Sequence, residues 1–485
     1  MTKPIPHRDL IWRNSLAASL AALVLILPLR LPAREISVRD PYLPRHPLTL
    51  KDCIAIALGE SPKLEGSRLD ILAAGAEIRA AQDALWPNLK GSVTGEAFSG
   101  SRIGKFGIVT ATGPTGGANA VGANKTVNLA GIGIGGLKLE YPAFKDGSIF
   151  GFNDAPAVEL KRAQRNALAW TAHLTREDVI HRVTQVFVDA VSAQNRVEPI
   201  DRKVELLQRS VDIHREQQQK GLILPVDVEV VTKQLNGAQS LSKLVHQEAV
   251  AGQLGLTRLL GLPSSADIRL GTLPEPPTPP NAAQLFHTML ARHPSLQVQL
   301  ANIEKAKQDY RLENFRLYPD VDLHGSALYI TDFSQFHTRT RTGGSQTGLN
   351  QAHDLVGGIT VNIPIWDFGA QLNTMRARRD TYHAEQARLG AVGDDLSSEI
   401  VRIYEEIYSE TQRILTLQVE AGKLDRDLRV AQSQQQQGIG QPVTTIDAEV
   451  AVIDKQEELE VHQSKLLLLY AELQKAMGGT WKWLR

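Results

Sequence analysis

Two proline-centred motifs recur in this chain at one fixed distance. Glu-Ser-Pro-Lys-Leu around Pro62 and Leu-Trp-Pro-Asn-Leu around Pro87 return as Arg-His-Pro-Ser-Leu around Pro294 and Leu-Tyr-Pro-Asp-Val around Pro319, each 232 residues later. Further on, Gln-Gln-Gln-Lys-Gly-Leu-Ile-Leu-Pro-Val, with Gly221 and Pro225, returns as Gln-Gln-Gln-Gln-Gly-Ile-Gly-Gln-Pro-Val, with Gly438 and Pro442, 217 residues later. Leu260-Gly261 recurs at the same distance as Met477-Gly478. A solenoid unit runs to roughly 20–50 residues, so this period is a duplicated structural half. The 485 residues therefore divide into two equivalent halves rather than several unrelated domains.

Helical periodicity fills most of each half. Leu50, Ile54, Leu58, Leu69, Leu72, Ala76 and Ala80 recur at spacings that suit one helix face. Leu285, Leu290, Leu296, Leu300 and Ile303 do the same in the second half. A third and fourth stripe run through Val231, Leu235, Ala238, Leu241, Val245 and Ala249, and through Ile446, Val450 and Ile453. A 35-residue helix spans roughly 50 Å. Two longer helix-like stretches, 155–220 and 371–437, are expected to be interrupted, the first near Pro199. Such lengths point to coiled-coil-like packing rather than a globular core.

Four short segments have strand character, at 89–98, 129–142, 320–330 and 356–366. The last alternates Ile359, Val361, Ile363 and Ile365 with Thr360, Asn362, Pro364 and Trp366, a period of two with one apolar face. Long polar insertions, 99–128 and 331–355, separate the strands of each pair. Each half thus reads helix, strand, long loop, strand, long helix, tight turn, helix. The division is a leader at 1–33, a first repeat at 34–262, a Pro-rich linker at 263–280, a second repeat at 281–479 and a tail at 480–485.

The leader joins Lys3, Arg8 and Arg13 to the apolar run from Leu16 to Leu27. That is a signal peptide in pattern, too short to span a bilayer comfortably. The expected cut follows Ala33, and no lipid-accepting cysteine stands near it. Cys53, the one cysteine, sits in an apolar helical pattern and excludes a disulfide framework. With 53 basic and 53 acidic residues, no nucleic-acid surface is indicated. Neither a nucleotide loop nor a nucleophile elbow nor a zinc motif occurs. His181, His214 and His246 lack ligand-spaced partners, and Gly131–Gly136 lies in a strand pattern with no helix start behind it. The expectation is a protein without catalytic residues, cofactor or metal.

Ten-residue strands with one apolar face, long polar loops and an export leader are marks of an outer-membrane barrel. Four strands cannot close one, because open edges in lipid leave backbone groups unpaired at several kcal/mol each. Three chains pooling their strands would give twelve and leave no edge. The order of elements, the Thr-Leu-Lys-Asp-Cys-Ile-Ala-Ile-Ala-Leu opening of the first helix, the paired prolines and the Gly-turn-Pro hairpins resemble the TolC-like outer-membrane efflux proteins, over about residues 48–479.

That resemblance implies a mainly α fold with β: a periplasmic α-helical barrel of long helices, and four strands entering a trimeric 12-stranded β-barrel in the outer membrane. It implies a homotrimer that contacts outer-membrane lipid, a periplasmic adaptor and an inner-membrane pump. The expected function is a passive exit channel of a tripartite efflux system. A duct for type I protein secretion is the alternative within this class, and an exported helical scaffold without a channel is the alternative outside it.

Gly221 with Pro225 and Gly438 with Pro442 would lie at the periplasmic tips. The family often carries Asp six residues after the glycine. Asp227 keeps it, whereas the second repeat has Thr444 there and an acid only at Asp447. Asp447, Asp227 and Thr444 are the candidates for a constriction, since ringed carboxylates favour cations. Acids near a helix start also suit the helix dipole in any protein. Tyr141 and Trp366, each near the end of a strand segment, are candidates for membrane-interface anchors.

Overall fold

A computed structural model describes residues 46–98, 126–127, 130–153, 155–263, 266, 268–278, 281–332, 336–337 and 351–483. The leader and its cleavage site, and most of both polar insertions, lie outside the described residues. From His46 onward the chain forms one unit.

The first half opens with α1 (Leu50–Glu60) and α2 (Pro62–Asp83). Thr49 and Asp52 close a capping box at the start of α1, with Thr49 N–H donating to Asp52 Oδ2 at 3.0 Å. The 48–86 stretch is two helices, because Ser61, the residue before Pro62, is extended at φ −68° and ψ 114°. Strand β1 (Asn88–Phe98) and strand β2 (Ala130–Lys145) follow, then α3 (Pro156–Gln219) and α4 (Pro225–Leu259). The second half repeats the order with α5 (Ala282–Arg292), α6 (Pro294–Phe315), β3 (Asp320–Asp332), β4 (Gln351–Asn362), α7 (Ala370–Gln436) and α8 (Pro442–Ala476). His293 before Pro294 makes the same extended break between α5 and α6.

α3 has 64 residues and α7 has 67, or about 96 and 100 Å at 1.5 Å per residue. The expected interruptions do not occur. α3 runs through Pro199 without a break. Side-chain bonds to α8 hold it on both sides: Arg196 Nη2 to Glu457 at 2.7 Å, Asn195 Nδ2 to Glu460 at 3.0 Å, Arg202 Nε to Glu449 at 3.1 Å, and a Lys203–Asp454 pair. Ile200, next to the proline, is fully buried. Packing against a neighbouring helix here outweighs the local cost of the proline.

Each of the two long helices turns back into a 35-residue partner. The turns are Schellman motifs. Gly221 N–H donates to Gln218 O and Leu222 N–H to Gln217 O, both at 2.9 Å, while Gly438 and Ile439 do the same to Gln435 and Gln434 at 3.0 Å. Gly221 and Gly438 adopt φ of +71° and +74°, which glycine reaches without a Cβ penalty. Pro225 and Pro442 then open the returning helices. Gly261 and Gly478 close α4 and α8 with the same pair of bonds.

Burial is one-sided. Leu235, Ala238 and Val245 of α4 are buried, as are Leu285, Met289 and Leu296 of α5 and α6. Leu69, Leu72, Leu290 and Leu300, which share the apolar stripes expected to face a core, are exposed in the single chain. The largest buried cluster joins Leu285 and Met289 to Ile400, Ile403 and Ile407 of α7 and to Leu469, Tyr470 and Leu473 of α8. Trp481 and Trp483 of the tail pack against it. Cys53 is fully buried, and desolvation pushes its thiol to about 12, so it is an inert core residue.

Candidate functional site: a two-faced sheet and two hairpin tips

The four strands form an antiparallel meander in the order β1-β2-β3-β4. Among the described residues, β1 and β4 each leave one edge without a strand partner. Register sorts the side chains by face, because successive residues alternate across a pleated strand. One face carries Leu89 and Val93 of β1, Leu137 and Leu139 of β2, Val321 and Leu323 of β3, and Leu355, Ile359 and Val361 of β4. Among the described residues little covers this face: Val93 is 91% exposed, Leu355 89% and Ile359 67%. The other face carries Lys90, Lys138, Glu140, Asp322, His324, Ser326, Asp354 and Thr360. In the single chain the apolar face is thus left bare while the charged face lies opposite. No helix of the described residues is long and apolar enough to cross a membrane.

Gly136 shows how closely the strands meet. A Cβ built there would stand 2.7 Å from Leu328 Cδ2 and 2.9 Å from the Ala327 carbonyl. The glycine-rich stretch is thus a strand in tight contact with its neighbour, within β2.

Aromatic side chains mark both ends of the apolar face. At the end toward the polar insertions, the Tyr329 and His353 rings stand 5.0 Å apart. At the helix end, Tyr141 donates its hydroxyl to Phe150 O at 2.8 Å, with ring centroids 5.6 Å apart. Trp366 lies beyond the end of β4 rather than inside it. The strand expected over 356–366 instead begins at Gln351 and stops at Asn362, one residue before Ile363 and two before Pro364. Trp366 is 77% exposed and meets Phe368, 89% exposed, edge-on at 5.7 Å. Asp367 then starts α7, its carboxylate accepting from Gly369 N–H at 2.9 Å and Gln371 N–H at 2.6 Å.

Asp227 and Thr444 are one pair in which the hairpin tips differ. Asp227 accepts from Leu224 N–H at 3.0 Å, so its carboxylate serves the first turn of α4. Thr444, at the matching position, instead donates its hydroxyl to Gln441 O at 2.7 Å. The two are equivalent in place and opposite in hydrogen-bonding sense. Asp447, one turn further into α8, lies exposed on the side facing His214 of α3; desolvation raises its carboxyl above the usual range, and the His214 charge opposes that. Structure thus gives Asp227 a capping role, while among the described residues no side-chain hydrogen bond engages Asp447. Leu222, Leu224 and Val226 are exposed at the first tip and Ile439 at the second.

Several buried polar links escaped the sequence reading. Gln474 of α8 donates to Glu177 of α3, and His293 joins the start of α6 to the Ala476 carbonyl. Glu410 of α7 takes Lys465 at 2.9 Å and also His462 of α8. Periodicity marks such positions only as polar residues on a helix. Among the described residues no cluster of side chains could hold a metal ion.

Helices of this length turn back at glycine-capped tips, and each half inserts two strands into one four-stranded meander, a fold shared with solved structures of outer-membrane channels. Solved structures share it: VceC of Vibrio cholerae (16% identity, 89% of this chain and 96% of that one, TM-score 0.66), CmeC of Campylobacter jejuni (15%, 90% and 87%, 0.65) and MtrE of Neisseria gonorrhoeae (13%, 89% and 89%, 0.64). Residues 285–479 match the family described as outer membrane efflux protein. No curated protein sequence matches the chain.

Proposed function

We propose that the protein is the outer-membrane exit duct of a tripartite efflux system, a passive homotrimer. Three sheets pair edge to edge into a 12-stranded barrel, which turns the bare apolar face toward lipid and the charged face toward the lumen. The long helices of three copies form a tube in the periplasm, and their uncovered apolar stripes meet between copies. The tips around Gly221 and Gly438 face a periplasmic adaptor and an inner-membrane pump, which supplies the energy. Trp366 and Tyr141 sit at the periplasmic boundary of the bilayer, where amphipathic rings prefer to lie. Carboxylates near the tips, Asp447 first, line the narrow end.

The observation that carries this reading is the sheet. Eight residue steps from Val321 to Tyr329 cover about 27 Å of strand at ~3.4 Å each, comparable to an apolar band of about 25 Å. Closure with other copies in lipid would satisfy both the two open edges and the bare apolar face, which supports this reading.

The test is membrane behaviour. Membranes from expressing cells are washed with carbonate, extracted with detergent and run with and without heating. A trimer that resists carbonate, shifts to monomer on heating and conducts in planar bilayers is expected. Release by carbonate would overturn the reading.

A further inference from the structure

We propose that Lys90 and Lys138 form a cationic band around the lumen of the strand barrel and favour the passage of anionic solutes there. The inference rests on the reading of the sheet as part of a barrel.

Lys90 and Lys138 are direct cross-strand partners in the register of β1 and β2, on the charged face. Like charges directly opposite one another destabilise an antiparallel pair. Here they are held by one carboxylate: Glu140 accepts from Lys90 Nζ at 2.8 Å and from Lys138 Nζ at 2.5 Å. Two ammonium groups around one carboxylate leave a net positive charge at this level.

Among the described residues, the four strands place no acid in this row. Across the sheet the row reads Lys90, Lys138, Ser326 and Val356. Acids occupy other rows. Asp354 lies in the row toward the polar insertions, whereas Asp322 and Asp320 lie toward the helices, opposite Thr360 and Asn362. Both lysines thus share one row, with Glu140 in the next row toward the helices and Asp354 in the next row toward the polar insertions.

Rows on one face stand two residues, about 6.8 Å, apart. The screening length at physiological salt is about 8 Å, so each row is felt by a passing ion at close range. Both lysine side chains are exposed and pair only with Glu140 among the described contacts. Threefold assembly would set six lysines and three glutamates into one ring. Rings of charged side chains select ions by sign.

The experiment is the reversal potential of the reconstituted full-length protein in planar bilayers under a potassium chloride gradient. The Lys90→Gln, Lys138→Gln double variant is expected to lose several-fold in its chloride-to-potassium permeability ratio. The Lys90→Arg, Lys138→Arg variant is expected to keep the wild-type ratio. If the glutamine double variant does not assemble, Lys138→Gln alone leaves the Lys90–Glu140 bond in place and is expected to show a smaller shift in the same direction. Normal conductance with an unchanged reversal potential in the glutamine variants would overturn the band while leaving the duct intact. A carbonate-resistant wild-type protein without conductance would overturn both.

Discussion

Gln474 Nε2 donates to Glu177 Oε2 at 2.9 Å, a bond between residues 297 positions apart that ties α3 of the first half to α8 of the second. Both side chains are buried. Gly479 lies directly against the glutamate, where an added Cβ would stand 2.4 Å from Glu177 Oε1. Replacing Glu177 with Ala strands the Gln474 amide and should cost about 1–3 kcal/mol. Glu177→Gln, which retains an acceptor, should cost much less. Chemical denaturation in detergent separates the two. Equal loss in both variants would show that charge, rather than the hydrogen bond, matters at this site.

Pro199 stands inside α3 without its amide bond and is held by flanking contacts to α8. Pro199→Ala restores a backbone donor in an unbroken helix and should raise stability, by up to about 3 kcal/mol. The duplicated position carries Thr416 within α7, so a non-proline helix is already tolerated there. A lower unfolding temperature in the variant would mean that the proline sets a bend the assembly needs.

His293 is buried with both ring nitrogens engaged. Nε2 bonds the Ala476 carbonyl at 2.8 Å and Nδ1 faces the Ser295 N–H at 3.1 Å. Those partners fit the neutral ring, with Nε2–H donating and Nδ1 accepting. Burial lowers its pKa below the ordinary histidine value of 6.5, with the Ala476 bond opposing. In the window between the two values the unfolded chain binds more protons than the folded one. Stability therefore rises with pH there. The contribution is complete above 6.5 and is lost as pH falls through the folded value. Unfolding profiles of wild type and His293→Gln should differ in slope in that window. Parallel profiles would remove His293 as a source of acid sensitivity.

Asp447 should carry charge selectivity at the tip end more than Asp227, whose carboxylate is engaged by the Leu224 amide. Asp447→Asn is expected to raise the chloride-to-potassium permeability ratio, opposite in sign to loss of the lysine band, and Asp227→Asn to raise it less. The raised Asp447 carboxyl also means that cation preference should fade at a pH above the usual 3.8 midpoint as acid is added. Reversal potentials measured across pH test both statements. An unchanged value in Asp447→Asn would move the constriction elsewhere.

Hairpin turns were legible because their physics is local. Glycine at a positive φ and proline in the first turn need no distant partner, and both occur twice in the same order. Alternation likewise exposed the two faces of β4. Continuity through Pro199 was not legible, since it depends on Glu449, Asp454, Glu457 and Glu460, some 250 residues away. The strand end at Asn362 was missed for a related reason: Ile363 and Ile365 keep the alternation after the ladder has stopped. Asp227 and Thr444 looked like a lost charge, and hydrogen-bonding geometry shows them as two ways to begin a helix. Trp481 and Trp483 had no local pattern at all; their place is set by the core they cover.

The open edges of β1 and β4 bear on the life of the chain before assembly. A lone copy in water offers two unpaired backbone ladders and a bare apolar surface, the combination that recruits any strand it meets. In the proposed trimer, self-association and correct assembly would draw on the same surfaces. For such a trimer to form, encounter between copies would have to outpace encounter with other chains, or a holding factor would have to shield the strands meanwhile. Expression level and the supply of such factors, rather than intrinsic helix stability, would then limit the yield of the finished protein.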